Sequence, residues 1–436
     1  MQRPLWRVLL VAAKAEVAQW IVKTARLAAT RHDEAVRRFV IALGGFLMVV
    51  ATGAVAFPGL STASARLALH TVAEQGGAGR LSAPSGIALD SSGDLFIADT
   101  DHCRVLLLPS HAGAMYGMHA QVGHSYTVAG GAACGGGGGI GFPTGVAVDQ
   151  RGDVFIADAT GQRIFVVRPG GTHGPRAPSL FAGTGAAGYS GEGQTASQSM
   201  LNEPTGIAVD TAGDLFIADS GNCRVRMVPS SGGTHLGQLM EADHLYTVAG
   251  TGICGSSSRG DRATSAEVDE PVAVAVDGAG DLFVADRGDD DVLAVPVSAG
   301  TYYGTSIGGE DLAVIAGMGG NGPYLADGLN ATSEVAELND PEGVAVGATG
   351  DLFITDGAMH CIRVVPSVSS TVLGRRMSGG DMYTLAGALT VQNASGGGNG
   401  TRWVRSHMDV PIGVAVTASG HVYLSDRGLS QVRELP

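Results

Sequence analysis

Between residues 204 and 228 short apolar runs alternate with polar breaks: PTGIAVD, TAGD, LFIAD, a four-residue break, then RVRMV. The runs are rich in Val, Ile and Phe and are bounded by Gly, Asp and Pro. Runs this short are strands, since helices need a longer 3.6-residue period. The pattern restarts at Pro84, Pro143, Pro204, Pro271, Pro341 and Pro411, at separations of 59, 61, 67, 70 and 70 residues. A glycine recurs in the first break of every copy: Gly93, Gly152, Gly213, Gly280, Gly350 and Gly420. A tight hairpin there needs a positive φ, which glycine adopts without steric penalty.

A fourth apolar run follows in five copies, at Tyr126–Gly130, Leu180–Gly183, Tyr246–Gly250, Val314–Gly317 and Tyr383–Gly387. Each unit then holds four antiparallel strands, and radial repetition of such units makes a β-propeller. The sixth copy stops after three strands, while a spare run, Leu69–Ala73, stands before the first. The predicted fold is all-β: six four-stranded blades, the last closed by an N-terminal strand, preceded by an N-terminal helix or transmembrane segment. An aromatic stands at one register of every second strand (Phe96, Phe155, Phe216, Phe283, Phe353, Tyr423), which points to packing between blades.

The recurring residues, Pro-x-Gly-Ile/Val-Ala-Val/Leu-Asp, the Gly-Asp turn, Leu/Val-Phe-Ile/Val-Ala-Asp and a later Arg-Val/Ile, resemble the NHL repeat family over residues 66–436. The YTVAG and AGYSGEG phrases look like a bacterial exported branch of it. The resemblance implies an interaction module. A minority of related six-bladed propellers are metal-dependent lactonases or lyases, which use a glutamate in a place comparable to Glu342.

Charge divides the chain. Residues 1–65 carry net +5 and the remainder net −19. So acidic a propeller repels phosphate backbones, which argues against a nucleic-acid partner. Residues 1–38 read as a basic cytoplasmic segment. Residues 39–57 are an uncharged run long enough to cross a bilayer, and Arg37 and Arg38 before it place the propeller outside. Residues 58–65 form a linker containing Ala63-Ser64-Ala65, a signal-peptidase pattern. Membrane anchor and cleaved signal both remain open, and both export the propeller.

Five cysteines fit that compartment. Cys103 and Cys134 are 31 residues apart, as are Cys223 and Cys254. In each case the first opens strand three and the second lies just past strand four, within reach of a disulfide. Cys361 has no such partner and is expected to be free.

Candidate chemistry is sought where the repeats differ. Asp99, Asp158, Asp219, Asp286, Asp356 and Asp426 end strand two in every blade, so they are read as acceptors for the following loop. Arg104, Arg163 and Arg224 are expected to brace those loops. Blade four breaks the pattern with Asp286, Asp289, Asp290 and Asp291, a carboxylate group suited to a hard cation such as calcium. Glu342 follows the blade-five proline, where other copies carry Ser, Thr, Val or Ile. No zinc spacing, phosphate-binding loop or nucleophile elbow occurs. The expected function is a monomeric, exported, non-catalytic module binding a protein or small molecule through the face that bears the strand two–three and inter-blade loops. The alternative is a metal-dependent lactonase, hydrolase or lyase acting with Glu342 at the channel mouth.

Overall fold

The computed structural model describes residues 70–73, 80–131, 134, 139–170, 177–256, 260–317, 327–333, 335–387 and 408–435. The apolar run 39–57 and the linker 58–65 lie outside these residues. Among the described residues no helix is long and apolar enough to cross a membrane.

In blade three, Pro204–Val209, Leu215–Asp219, Arg224–Val228 and His244–Ala249 pair in chain order as antiparallel neighbours. The same order recurs in the sheets of blades one, two, four and five, and in the first three strands of blade six. The first strand of each blade packs against the first strands of both neighbours, and that of blade six (Pro411–Val416) meets that of blade one (Pro84–Leu89), closing the ring. The outer strand of blade six is His70–Ala73, paired with Gln431–Leu435 through His70↔Glu434, Thr71↔Arg433 and Ala73↔Val432. The predicted six blades and N-terminal closure are therefore what the chain forms.

The second strands of blades one to five are buried at every residue. The core is not central. It consists of six apolar clusters, one in each seam between adjacent blades. Phe283 of blade four, for example, packs in one cluster with Val344, Leu352 and Ile354 of blade five. Among the described residues no blade has an apolar cluster to itself, so stability must come from the interfaces between blades.

Two features extend this plan. The long inter-blade loops do not stay wholly on one face: Gln194–Thr195 pairs with the outer strand of blade three and Leu329–Asn330 with that of blade five. They cover edges that would otherwise present unpaired backbone groups. On the opposite face, the strand three–four loops of blades one, three, four and five fold into small hairpins. The turn Tyr116-Gly117 has φ of 48° and 71°, both positive as a two-residue hairpin turn requires. The Tyr116 hydroxyl donates to Gly152 O of blade two at 2.7 Å, and Tyr303 of blade four does the same to Gly350 O of blade five at 2.6 Å.

Candidate functional site

The six strand-two aspartates perform the loop-holding role expected of them. Each accepts a backbone N–H from the segment leading into its own blade: Ser82 to Asp99, Phe142 to Asp158, Asn202 to Asp219, Asp269 to Asp286, Asn339 to Asp356 and Asp409 to Asp426. Arg104 braces Asp99 at 2.7 Å as expected. Arg224 does not brace Asp219. It donates to Gly250 O and lies over the Tyr189 ring at 4.3 Å, while Asn222 and Arg226 meet Asp219.

Arg226 was not singled out by its sequence, yet it is fully buried at the centre of blade three. Its guanidinium reaches Asp219 at 3.5 Å, Glu192 at 3.8 Å and Gly191 O at 3.1 Å. Glu192 also accepts from Thr247 N and Oγ1 and from Tyr189. The AGYSGEG phrase therefore supplies a cap for a buried charge. Blade five repeats the device: buried Arg363 donates to Thr384 Oγ1, and Asp327 accepts from Thr384 N. Burial pushes the neighbouring Asp356 up to about 7 against the pull of Arg363. The signal in the sequence was an arginine in mid-strand three, where blades one and four carry Leu and blade two carries Phe165; blade six has it too, as Arg433, which meets Asp426 at 3.7 Å.

Four residues after each strand-two aspartate the backbone turns left-handed, at Cys103, Gln162, Cys223, Asp290, His360 and Ser430. In the first five of these the side chain fastens the loop leading to the next blade. Cys103 and Cys223 bond to Cys134 and Cys254. Gln162 accepts from Glu203 N at 2.6 Å, Asp290 from Asp340 N at 2.8 Å, and His360 Nδ1 from Val410 N at 3.1 Å. Cys361, one residue further on, is free and buried.

These placements bear on the aspartates of blade four. Asp286 and Asp290 each hold a backbone N–H, Asp291 is buried in strand three, and Asp289 faces Asp269, whose carboxyl is raised by burial first and then by this neighbour. The fold does not gather the four around one point. Among the described residues, only Cys223, Cys254 and Asp269 bring three ligand atoms within 4.8 Å, and both sulfurs are in a disulfide.

Glu342 does stand at the channel mouth. A depression of about 170 Å³ opens on the axis, on the face of the strand two–three loops. Its floor is the branched side chains Ile87, Ile207, Val274, Val344 and Val414. Its wall is the Gly of Pro-x-Gly, where the first strand bulges out of register with the second. A β-carbon at Gly206 would stand 2.6 Å from Val272 O of the next blade, so the strands approach this closely only without one.

The rim is asymmetric. In blades one to three the residue after the proline is Ser85, Thr144 or Thr205. Hydroxyls on this side bind the ring to itself: Thr100 donates to Pro143 O at 2.8 Å and Ser220 to Pro271 O at 2.6 Å. In blades four to six the corresponding residues are Val272, Glu342 and Ile412, with Arg287 and Arg427 in the places of Ser220 and Thr100. Arg287 joins Glu342 at 3.3 Å and also bonds Glu270. Gly357 leaves room for this: a β-carbon there would meet Glu342 Cγ at 2.8 Å. Burial raises the Glu342 carboxyl, opposed by Arg287; Asp340 adds to the rise and Arg427, more weakly, opposes it. A carboxylate already paired with a guanidinium is a poor cation ligand, so the donor set here does not fit a bound metal.

The NHL repeat model matches residues 81–106, 141–167, 201–226 and 338–365, in blades one, two, three and five. No curated protein matches the chain in sequence. Among solved structures, a protein of unknown function from Bacteroides thetaiotaomicron is similar with a TM-score of 0.52 and 14% identity, over 84% of this chain and 74% of that one. An auxiliary nutrient binding protein from the same species gives 0.49 at 11% identity, over 84% and 76%. A gluconolactonase from Xanthomonas campestris gives 0.47 at 15% identity, over 84% and 89%. At such identities the likeness is one of fold.

Proposed function

Since this chain carries NHL repeats and folds as a six-bladed β-propeller, we propose that it is an exported binding module whose ligand seats at the channel mouth. The observation that carries this reading is the break in symmetry at the rim. Five of the six blades place a small or apolar residue after the proline, whereas blade five places a half-buried glutamate between two arginines. A feature present in one blade alone is not needed to build the ring. Export is supported by two disulfides, which persist in oxidising compartments. It is also consistent with the uncharged run 39–57, read as an anchor or a cleaved signal.

The alternative, turnover by Glu342, draws on its buried carboxyl, whose raised pKa suits a general acid. One experiment separates the readings. A set of small anions, cations, neutral compounds, lactones and esters is screened by thermal shift and for hydrolysis, with and without calcium or zinc. The wild type is compared with Ile412→Trp, which fills the mouth. Binding that disappears in Ile412→Trp, without turnover, is the expected result. Equal binding in both proteins sinks the mouth as the site. Metal-dependent turnover lost in Glu342→Gln establishes the enzyme instead.

A further inference from the structure

The mouth contains charge and apolar surface in an arrangement that selects a chemical class. Its floor is aliphatic and its volume is about 170 Å³. An apolar protein cavity of ~150 Å³ holds benzene. Above the floor stand two guanidiniums and one carboxylate. Arg287 is committed to Glu270 and Glu342. Arg427 is exposed, and its side chain is drawn to Glu342 only through the field across the mouth. The hydroxyls on the opposite rim are spent on the carbonyls of neighbouring blades. A cation would find its one carboxylate already neutralised. A dianion would bring its second charge against Glu342. A single negative charge meets one available guanidinium, and a planar carboxylate fits that fork in a bidentate manner.

We infer that the mouth binds a small apolar monocarboxylate of about the size of benzoate, its carboxylate on Arg427 and its ring or branched chain on the floor made by Ile87, Ile207 and Val274. The inference rests on the reading of the mouth as the ligand site and adds the class of ligand. It assigns Glu342 a restraining role: by holding Arg287, it lowers the positive charge offered to the ligand. Removing the glutamate strengthens anion binding, the reverse of what a catalytic or metal-holding glutamate would do.

The test is calorimetric titration of the full chain with benzoate, benzamide and benzylamine, which share a ring and differ in charge. Benzoate is expected to bind with one-to-one stoichiometry, about tenfold or more tighter than benzamide, with benzylamine weakest. Arg427→Gln is expected to weaken benzoate about tenfold, Arg427→Lys less, and Glu342→Gln to tighten it severalfold. Unfolding transitions matching the wild type establish that each variant is folded. Equal affinity for benzoate and benzamide overturns the inference, as does an Arg427→Gln variant that binds benzoate like the wild type. Absence of benzoate binding at about 10 mM, a very weak affinity, overturns it too. If a neutral or cationic compound then binds and is blocked by Ile412→Trp, the class is wrong and the mouth remains the site. If no compound of any charge responds to Ile412→Trp, both fail.

Discussion

Blades three and four have the same strands, the same turn and the same buried aspartate, yet they differ at nearly every other polar position. Blade three has Thr205, Ser220, Cys223, Arg224 and Arg226 where blade four has Val272, Arg287, Asp290, Asp291 and Leu293. In blade three the polar groups turn inward. Ser220 latches the next blade, Cys223 closes a disulfide, and Arg226 is buried among acids. In blade four the centre of the third strand is apolar, the disulfide is replaced by a hydrogen bond from Asp340 N to Asp290, and the arginine stands at the mouth. The backbone grammar is common to both, so the blade scaffold tolerates either use of its polar sites. Blade three is built to hold together, while blade four lends its charge to the axis.

Three experiments break or sharpen that contrast. The largest effect is expected from giving blade three the leucine of blade four. Arg226→Leu leaves Asp219 and Glu192 without their cation, at a cost of about 3–5 kcal/mol in chemical unfolding. Adding Asp219→Asn is expected to restore part of it, because the uncompensated charge is removed and the amide oxygen still accepts from Asn202 N, although Asn222 loses its acceptor. A loss below about 1 kcal/mol in the single variant would mean that the buried cluster is not what holds blade three.

Next comes the crosslink. Replacing Cys223 and Cys254 by serine is expected to destabilise the chain by about 2–4 kcal/mol. The equivalent change in blade four, Asp290→Ala, removes one hydrogen bond and is expected to cost about 1 kcal/mol. Similar losses at the two sites would show that the fastening, and not the covalent bond, matters. The smallest effect concerns the rim. Ser220→Ala is expected to cost about 1 kcal/mol, through its lost bond to Pro271 O. Arg287→Ala at the same register is expected to cost less, since a half-exposed ion pair contributes little. Urea midpoints compare the two, and the reverse order would contradict the division of labour.

The number of blades, the closing strand, the strand-two aspartates and both disulfides were legible in the chain. Each follows from local spacing, repeated often enough to identify the turn, the strand end and the loop. Arg226 and Glu192 were not legible together, because the acid lies in the preceding inter-blade loop and meets its partner only when that loop folds back over the blade. The acidic stretch of blade four shows the opposite case. Its residues are adjacent in sequence, but a left-handed turn at Asp290 and a strand at Asp291 send the side chains to different neighbours. Glu342 was recognised as a departure from the repeat, while its pairing with Arg287 was not.

The sequence by itself determined a ring of six sheets, since a strand period and a turn residue are properties of a few consecutive positions, and repetition multiplies them. Only the tertiary structure decided which charges share the axis. Arg287 and Glu342 are 55 residues apart, and they meet only because blades four and five pack side by side and Gly357 leaves room for the glutamate. Strand pattern is a short-range property of the chain, whereas the electrostatics of the mouth arise from side chains that only ring closure brings together.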